Sequence, residues 1–449
     1  MAPTAVAPRS FVATAIIFAA SSALVAASGS GTGTGASAGA GAIAGAGGAS
    51  SHGDQAWAPR ARAAPRAAAA ANYTLNVLPA ADFPLATCLV PSSQGAYYYR
   101  PAQTPQGATK LRIFFDGGGW CVSDEDCFGR TLTPLGNNSL LPQTDPDPAG
   151  YCGDAFLSGQ ASDNPSIWDW AAVYVPYCDG GSFTGRRMEP VVINATATVA
   201  YRGSFIRDAL VAHLASAHGL AAATDVIVGG CSAGGLAVYL GLDTVAAQIR
   251  QHAPTARVTG IADAGFFLDH LDSAGRPAWS PIWQWGFYAW ASAAGVNQRC
   301  VAALGDEPWR CIFAQNSLTY IETPLFVLNS KYDSWQMAFE LGLKGSFSAW
   351  NASERASAIQ YSHDFAATLT ATGALWSSSP RHGGFITACQ SHCDAGTGAW
   401  TSTYLPPAPG GAGPALTPSL AFAAWLSGNV STPWWFALDD IPDVNPTCQ

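Results

Sequence analysis

The sequence predicts an α/β fold in which helices cover both faces of a mostly parallel central sheet and disulfides cross-link the chain. Short, nearly continuous apolar runs recur along the sequence, as is typical of strands that are buried on both faces. Helical patterns lie between these runs, and this alternation favours parallel pairing. The chain also contains 11 cysteines, which is many for a cytosolic protein and indicates an oxidising compartment.

The predicted elements alternate along the chain. Strands are expected at 110–115, 170–176, 225–230 and 323–329, and helices at 203–214 and from 233 to about 249. The first two strands end in glycine-containing turns. No internal repeat is evident, so the simplest architecture is a single domain over 73–449.

The first 72 residues are not expected to belong to this domain. Residues 1–27 contain the basic residue Arg9, then an apolar stretch, and small residues follow. These are the parts of a secretory signal peptide. An uncleaved signal anchor is the alternative, because the apolar stretch is close to the length that spans a bilayer. Residues 28–72 are rich in Gly, Ala, Ser and Pro and bury almost nothing large, so a disordered linker is predicted.

The overall composition excludes several classes of protein. The 449 residues are 49% hydrophobic and 11% charged, with a net charge of −9. Such a chain is too apolar to be wholly disordered, and its acidic balance does not favour nucleic acid as a partner.

Five Asn-x-Ser/Thr sequons are glycosylation candidates if the chain is exported. They are Asn72, Asn137, Asn194, Asn351 and Asn429.

The sharpest motif is Gly-Cys-Ser-Ala-Gly-Gly at 230–235. It follows a predicted strand and opens a predicted helix, which is the context of a nucleophile elbow. Small residues on either side of Ser232 relieve crowding at a strained turn, and the helix N-terminus offers positive potential to a developing oxyanion. The structural alternative is a glycine-bearing turn with a capping serine. The strand–turn–helix context favours Ser232 as a nucleophile.

A serine nucleophile needs a base, and the segment 382–393 supplies two histidines. His392 follows a β-like run and lies between Cys389 and Cys393, where disulfides would hold a base in one orientation. The competing interpretation is a zinc site built from these cysteines with His382 and His392. Its spacing fits no common structural zinc pattern, and oxidised cysteines cannot bind the metal.

The carboxylate that orients the base should follow a strand. Asp333 comes shortly after the predicted strand 323–329, while Asp263 and Asp269 are rivals. The chain order Ser, Asp, His is the one expected for an α/β-hydrolase, but it also admits Asp263. Chain order therefore does not decide between them.

The segment Asp-Gly-Gly-Gly-Trp at 116–120 follows an early strand and supplies backbone N–H groups. It is analogous to the glycine loop that stabilises the oxyanion in lipases and esterases. The expected donors are the amides of Gly119, Trp120 and Ala233. No Walker-type lysine accompanies the glycines, so a phosphate-binding loop is not expected.

Seven segments carry a more specific pattern along nearly the whole folded region. They are Gly-Gly-Gly-Trp-Cys at 117–121, Tyr-Cys-Asp-Gly-Gly-Ser-Phe-Thr-Gly at 177–185, Tyr-Arg-Gly at 201–203, Gly-Cys-Ser-Ala-Gly-Gly-Leu-Ala at 230–237, Asp-Ala-Gly-Phe-Phe-Leu-Asp at 263–269, Tyr-Asp-Ser-Trp-Gln at 332–336 and Cys-Gln-Ser-His-Cys at 389–393. In this order they resemble the pectin acetylesterase/Notum family of secreted serine carboxylesterases. The resemblance implies an α/β-hydrolase-like fold and a triad of Ser232, Asp333 and His392, with no metal and no cofactor. It also implies the same three oxyanion donors.

Two regions depart from the family pattern or from ordinary composition. Residues 88–97 lack the acidic-glycine turn that the family usually has there, and 279–290 is unusually aromatic. Both are expected to border the substrate groove. The aromatic residues could stack sugars, line an acyl pocket or pack in the core.

The cysteines are expected to divide into ten in disulfides and one free thiol. Cys231, beside the nucleophile, is the expected free thiol. Bridges Cys121–Cys127 and Cys300–Cys311 are plausible because these pairs are close in sequence. The ten expected to pair are Cys88, Cys121, Cys127, Cys152, Cys178, Cys300, Cys311, Cys389, Cys393 and Cys448.

The predicted function is that of a secreted, monomeric serine carboxylesterase that removes O-acetyl groups from cell-wall polysaccharide such as pectin. One alternative is a Notum-like esterase that removes a fatty acyl group from a protein, which would need a deep apolar pocket. Another is a non-catalytic wall-binding protein with a vestigial triad. No nucleic acid is expected as a partner, and membrane contact is expected only through an uncleaved N-terminal anchor. Because the net charge is negative, a groove for a polyanion would need Arg186, Arg187 and Arg202.

Overall fold

The computed structural model describes residues 73–145, 155–372, 381–405, 415–428, 436–440 and 443–448. The predicted signal segment 1–27, the linker 28–72, Cys152 and the sequons at Asn72 and Asn429 lie outside the described residues. Within the described ranges, no helix has both the length and the apolar character that a membrane span requires.

A large sheet forms the centre of the fold. The strands of the described residues are β1 (Tyr73–Val77), β2 (Ala96–Arg100), β3 (Lys110–Phe115), β4 (Thr144–Asp145), β5 (Ala171–Val175), β6 (Val191–Asn194), β7 (Ala197–Val199), β8 (Asp225–Cys231), β9 (Arg257–Asp263), β10 (Leu325–Ser330), β11 (Gly383–Thr387) and β12 (Phe436–Leu438). The spatial order of the main sheet is β12-β11-β10-β9-β8-β3-β5-β2-β1-β4, and β6 pairs with β7 separately. Pairing is parallel from β12 to β5 and antiparallel at the β2-β1-β4 edge. The predicted, mostly parallel sheet is confirmed.

Helices connect the parallel strands. Those of the described residues are α1 (Asp124–Arg130), α2 (Gly203–Ala217), α3 (Ala233–His252), α4 (Ser280–Ala289), α5 (Gln298–Leu304), α6 (Ala314–Ser317), α7 (Ser334–Phe339), α8 (Ala352–Thr372), α9 (Ala399–Ser402) and α10 (Pro418–Leu426). All four predicted strands and both predicted helices are present, with ends that differ from the predicted ones by at most three residues.

The sheet separates two apolar cores, because successive side chains of a strand point to opposite faces. On β3, Ile113 and Phe115 belong to one buried cluster together with Leu236 of α3. Phe114, between them, belongs to the other cluster together with Trp400 of α9. Helices therefore cover both faces, as predicted. All these side chains are at most 3% exposed.

Parallel pairing brings several chain segments to one edge of the sheet. β3, β8, β10 and β11 run in the same direction, so the loops that follow them emerge at their shared carboxyl ends. These loops contain the glycine segment 116–120, Ser232, Asp333 and His392. This edge is where ligands bind in open α/β sheets.

Five disulfides cross-link the described part of the chain. They are Cys88–Cys178, Cys121–Cys127, Cys231–Cys393, Cys300–Cys311 and Cys389–Cys448. The two predicted local bridges are confirmed. The prediction of a free thiol at Cys231 is wrong, because Cys231 pairs with Cys393, 162 positions away in the sequence. Sequence spacing could not reveal this bridge, since it joins the ends of β8 and the loop after β11.

Three of the predicted glycosylation sites are described. Asn194 and Asn351 are exposed, whereas Asn137 is partly buried. The Asn351 side chain also caps α8 by accepting hydrogen bonds from the amides of Ser353 and Glu354 at 2.9 and 3.0 Å. Glycosylation at these positions stays a prediction.

Candidate active site

Ser232 lies at the sharp turn between β8 and α3. Its φ of 56° is in the left-handed region that a residue with a side chain rarely adopts. A Cβ on Gly230 would overlap the carbonyl oxygen of Gly234, and a Cβ on Gly234 would overlap that of Phe115. The small residues on both sides of Ser232 are therefore required sterically. The backbone has the strained strand–turn–helix geometry of a nucleophile elbow.

His392 and Asp333 are in direct contact. The Nδ1 atom of His392 lies 2.7 Å from Oδ2 of Asp333, which is fully buried. The other carboxylate oxygen, Oδ1, accepts hydrogen bonds from the amides of Trp335 and Gln336, each at 3.0 Å. The carboxylate thereby caps α7 and holds the imidazole at the same time, which leaves Nε2 available for proton exchange.

The rival carboxylates have other partners. Asp263 accepts a hydrogen bond from the amide of Ala395 at 2.7 Å, and its main-chain carbonyl accepts one from the amide of Ser232 at 3.0 Å. Burial and the neighbouring Asp394 raise the pKa of Asp263 well above its ordinary value. Asp269 accepts a hydrogen bond from the hydroxyl of Ser280. Of the three candidates, the structure brings Asp333 to the imidazole.

Asp263 nevertheless connects both halves of the site. Through its main chain it holds the elbow at Ser232, and through its side chain it holds the turn that follows His392. From the sequence, Asp263 is a candidate only for the triad, and this supporting role is not apparent. Its position at the end of β9, between the strands that precede Ser232 and Asp333, is the signal that could have indicated it.

The disulfide Cys231–Cys393 links the residue before Ser232 to the residue after His392. A ring nitrogen of His392 and the two sulfur atoms all lie within 4.8 Å of one another. The histidine is therefore fixed beside the elbow.

Both cysteines of the competing zinc interpretation are oxidised, Cys393 to Cys231 and Cys389 to Cys448, and sulfur in a disulfide is not the thiolate that zinc binds.

The glycine loop after β3 packs directly on the elbow. A Cβ on Gly117 would lie 2.6 Å from Cβ of Ser232 and 3.2 Å from the amide nitrogen of Ala233, so only glycine fits there. Gly119 has a φ of 68°, in the left-handed region. Within the described part of the chain, the amides of Gly119, Trp120 and Ala233 have no protein hydrogen-bond acceptor. These three amides are the predicted oxyanion donors.

An aromatic cluster lies beside this loop. The ring of Trp120 is 4.7 Å from Phe267, 5.3 Å from both Trp283 and Trp335, and 5.7 Å from Trp279, between centroids. Trp120, Trp283 and Phe267 are at most 2% exposed. The aromatic stretch 279–290 thus packs into the core through Trp283 and borders the glycine loop through Trp279.

The arginines suggested for a basic groove are bound by protein groups. Arg186 forms an ion pair with Asp208 at 2.7 Å. Arg187 donates to a main-chain carbonyl of α4 at 3.1 Å. Arg202, which is 8% exposed, donates to the carbonyl of Met188 at 2.5 Å. These three side chains do not form an open cationic groove.

One buried carboxylate near the site gives a pH-dependent prediction. Burial raises the pKa of Asp179 from its ordinary value of 3.8 to about 7, although the amide of Phe183 donates to it at 2.9 Å. Because the folded state holds this proton more tightly, the stabilisation is complete below about pH 4 and is lost as the pH rises towards 7. Asp179→Asn removes this loss. The Tm of the variant minus the Tm of the wild type should therefore increase as the pH rises from 4 to 8. Thermal unfolding across this range tests the prediction, and parallel Tm curves would contradict it.

Comparison with known proteins identifies similar chains. A family model described as Pectinacetylesterase matches residues 66–431. Pectin acetylesterase 5 of Arabidopsis thaliana is 31% identical over 317 residues, which make up 69% of this chain and 70% of that protein. Human palmitoleoyl-protein carboxylesterase NOTUM is 28% identical over 259 residues, which make up 55% of this chain and 49% of that protein.

A solved structure confirms the fold. The crystal structure of the Wnt deacylase Notum from Drosophila at 1.9 Å superposes with a TM-score of 0.70 and 21% sequence identity. The match covers 84% of this chain and 99% of the Notum chain. This similarity establishes the predicted α/β-hydrolase-like architecture.

Proposed function

This chain belongs to the pectinacetylesterase family and is a carboxylesterase, and we propose that it removes O-acetyl groups from a cell-wall polysaccharide such as pectin. The observation that carries the proposal is the contact between His392 and buried Asp333, held beside Ser232 by a disulfide. A base fixed in this way can activate a serine hydroxyl for attack on an ester carbonyl.

In the proposed mechanism, Ser232 Oγ attacks the ester carbonyl while Nε2 of His392 takes the hydroxyl proton. Asp333 fixes the tautomer with Nδ1 protonated and stabilises the imidazolium that forms. The amides of Gly119, Trp120 and Ala233 donate to the oxyanion of the tetrahedral intermediate. His392 then returns the proton to the leaving alcohol, and the acetyl group remains on Ser232. Water attacks this acyl-enzyme with His392 again acting as base, which releases acetate.

The aromatic cluster supports a short acyl group. Trp120, one of the proposed oxyanion donors, is packed by four aromatic rings. One of these, Phe267, also lies 6.5 Å from the His392 ring. Apolar space beside the reacting centre is therefore occupied by side chains. An acetyl group needs little of this space, whereas a long acyl chain would have to displace packed indoles, which is costly in a dense interior.

The second candidate is an esterase that removes a fatty acyl group from a protein. It is favoured by the similarity to palmitoleoyl-protein carboxylesterase NOTUM. The non-catalytic alternative is opposed by the intact Asp333–His392 contact and by the strained backbone at Ser232, which a binding protein has no reason to retain.

A panel of p-nitrophenyl esters tests the proposal. We expect kcat/KM for the acetyl ester to exceed that for the octanoyl ester at least about tenfold. Ser232→Ala should lower kcat for the acetyl ester by about 10⁴-fold or more. A preference for octanoyl would instead support the fatty-acyl candidate. Equally slow hydrolysis by wild type and Ser232→Ala would contradict an esterase with Ser232 as nucleophile.

Acetate release from acetylated pectin and acetylated xylan, measured side by side, tests the polysaccharide. Release from pectin that is lost in Ser232→Ala is expected. Because Arg186, Arg187 and Arg202 are engaged by protein groups, we do not expect the rate to depend strongly on uronate charge.

Export to the cell wall, a monomeric state and independence of cofactors are part of this proposal. The five disulfides support an oxidising compartment.

A further inference from the structure

We propose that Arg130 and Tyr177 are positioning residues that aim the oxyanion-binding amides of Gly119 and Trp120 at the reacting carbonyl. This inference rests on the proposed function, because it assigns a role within the same site. It concerns two side chains that do not belong to the triad. Both bind the glycine loop through its carbonyl groups.

The planarity of the peptide bond converts these contacts into amide orientation. Arg130 Nη1 donates to the carbonyl oxygen of Gly118 at 2.7 Å, and the hydroxyl of Tyr177 donates to that of Gly119 at 2.8 Å. In a trans peptide, the C=O of one residue and the N–H of the next point in opposite directions. Fixing the Gly118 carbonyl therefore fixes the Gly119 amide, and fixing the Gly119 carbonyl fixes the Trp120 amide.

The guanidinium of Arg130 holds two points of the loop at once. Its second terminal nitrogen, Nη2, donates to the carbonyl of Trp120 at 2.8 Å, and its Nε pairs with Asp126 at 3.3 Å. A planar fork with several fixed partners loses rotational freedom that lysine would retain. A cation on the carbonyl side also polarises the peptide unit, which strengthens the N–H on the opposite side as a donor.

Tyr177 supplies a donor that stays protonated. Burial raises the pKa of its phenol well above the ordinary value, so the hydroxyl keeps its proton. The oxygen accepts a hydrogen bond from the amide of Ser182 at 3.0 Å, and its single proton goes to the carbonyl of Gly119. The Ser182 hydroxyl in turn accepts from the Trp120 indole at 2.7 Å. The loop is thus held through the three successive carbonyls of Gly118, Gly119 and Trp120 and through the indole.

The left-handed backbone of Gly119 makes this support necessary. With a φ of 68° and no side chain, Gly119 can adopt many other conformations, so external contacts must select the one in which the amides converge. The position of a Cβ on Gly119 would be 3.6 Å from Nη2 of Arg130, which places the guanidinium directly against this residue.

The variants Tyr177→Phe and Arg130→Lys test the proposal, with Tyr73→Phe as matched control. Tyr73 is also buried, and its hydroxyl donates to the carbonyl of Leu157 at 2.9 Å, far along the sheet from the glycine loop. For p-nitrophenyl acetate, we expect kcat to fall about 10- to 100-fold in the two test variants with little change in KM, since complete loss of one oxyanion donor costs about 10²–10³-fold. Tyr73→Phe should retain the wild-type kcat.

The inhibition constant of a trifluoromethyl ketone distinguishes a positioning role from a merely structural one. Its adduct with Ser232 carries an oxyanion, so its inhibition constant should weaken by the same factor as kcat/KM in each test variant. Wild-type inhibitor affinity in both variants, whatever their kcat, would overturn the positioning role. Wild-type activity that is insensitive to Ser232→Ala would instead overturn the proposed function, so the two failures are distinguishable. If Arg130→Lys does not fold, Tyr177→Phe, which loses only one oxygen atom, decides alone.

Discussion

Asp333→Asn is expected to lower kcat for p-nitrophenyl acetate about 10⁴-fold without unfolding the protein. The amides of Trp335 and Gln336 already occupy Oδ1 of Asp333, and the asparagine carbonyl can replace that oxygen. The asparagine NH₂ group would then face Nδ1 of His392. A donor at this point forces the tautomer with Nε2 protonated, which cannot take the proton from Ser232.

Two controls accompany Asp333→Asn, namely its thermal stability and the variant Asp263→Asn. The cap of α7 is retained, so the Tm of the variant should remain close to that of the wild type. Asp263→Asn should reduce kcat far less, because the raised pKa of Asp263 already favours the neutral carboxyl and the substitution keeps an acceptor for Ala395. Near-normal activity in Asp333→Asn together with a large loss in Asp263→Asn would contradict the proposed triad.

Loss of the Cys231–Cys393 disulfide is expected to reduce both stability and activity. In the double variant Cys231→Ser/Cys393→Ser, the unfolded chain gains the entropy of a loop that the bridge closes over 162 positions, for which chain-entropy arguments give about 5 kcal/mol. The turn that carries His392 is also released from the elbow that carries Ser232. We therefore expect kcat to fall, because small displacements of a base from its nucleophile are costly.

The double variant Cys300→Ser/Cys311→Ser is the matched control. Its bridge closes only 11 positions and lies outside the loops that carry the candidate triad, so we expect a loss of about 3 kcal/mol and an unchanged kcat. Urea unfolding and p-nitrophenyl acetate hydrolysis, measured on both double variants, test the prediction. If both variants keep the wild-type kcat, the bridge beside Ser232 has no role in positioning His392.

The elements that were predictable from sequence are those with strong local patterns. The apolar run at 110–115 is short and is followed by a glycine-rich turn, which favours a strand over a helix. The Gly-x-Ser-x-Gly turn between a strand and a helix has few structural solutions. The glycines could be anticipated for the same reason, since Gly117 and Gly234 lie where a Cβ would meet backbone or the nucleophile. Local sequence is therefore enough to predict a turn whose geometry depends on contacts between neighbouring residues.

The outcome at Cys231 illustrates what local pattern cannot supply. Next to a nucleophile, a single cysteine looked like a free thiol, yet it pairs with Cys393 because parallel strands bring both loops to one edge of the sheet. The position of a carboxylate along the chain likewise did not decide among Asp333, Asp263 and Asp269. Chain order admitted more than one of them, the family resemblance implied Asp333, and the structure places Asp333 against His392.

By itself, the sequence determined the fold class, the elbow around Ser232, the glycine loop and the short list of possible bases and acids, because these depend on periodicity and on turns of a few residues. Only the tertiary structure decided the partner of Cys231, the aromatic packing of Trp120 and the contacts of Arg130 and Tyr177 with the glycine loop. These are contacts between residues distant in sequence, and their geometry is fixed by strand order and packing rather than by neighbours along the chain.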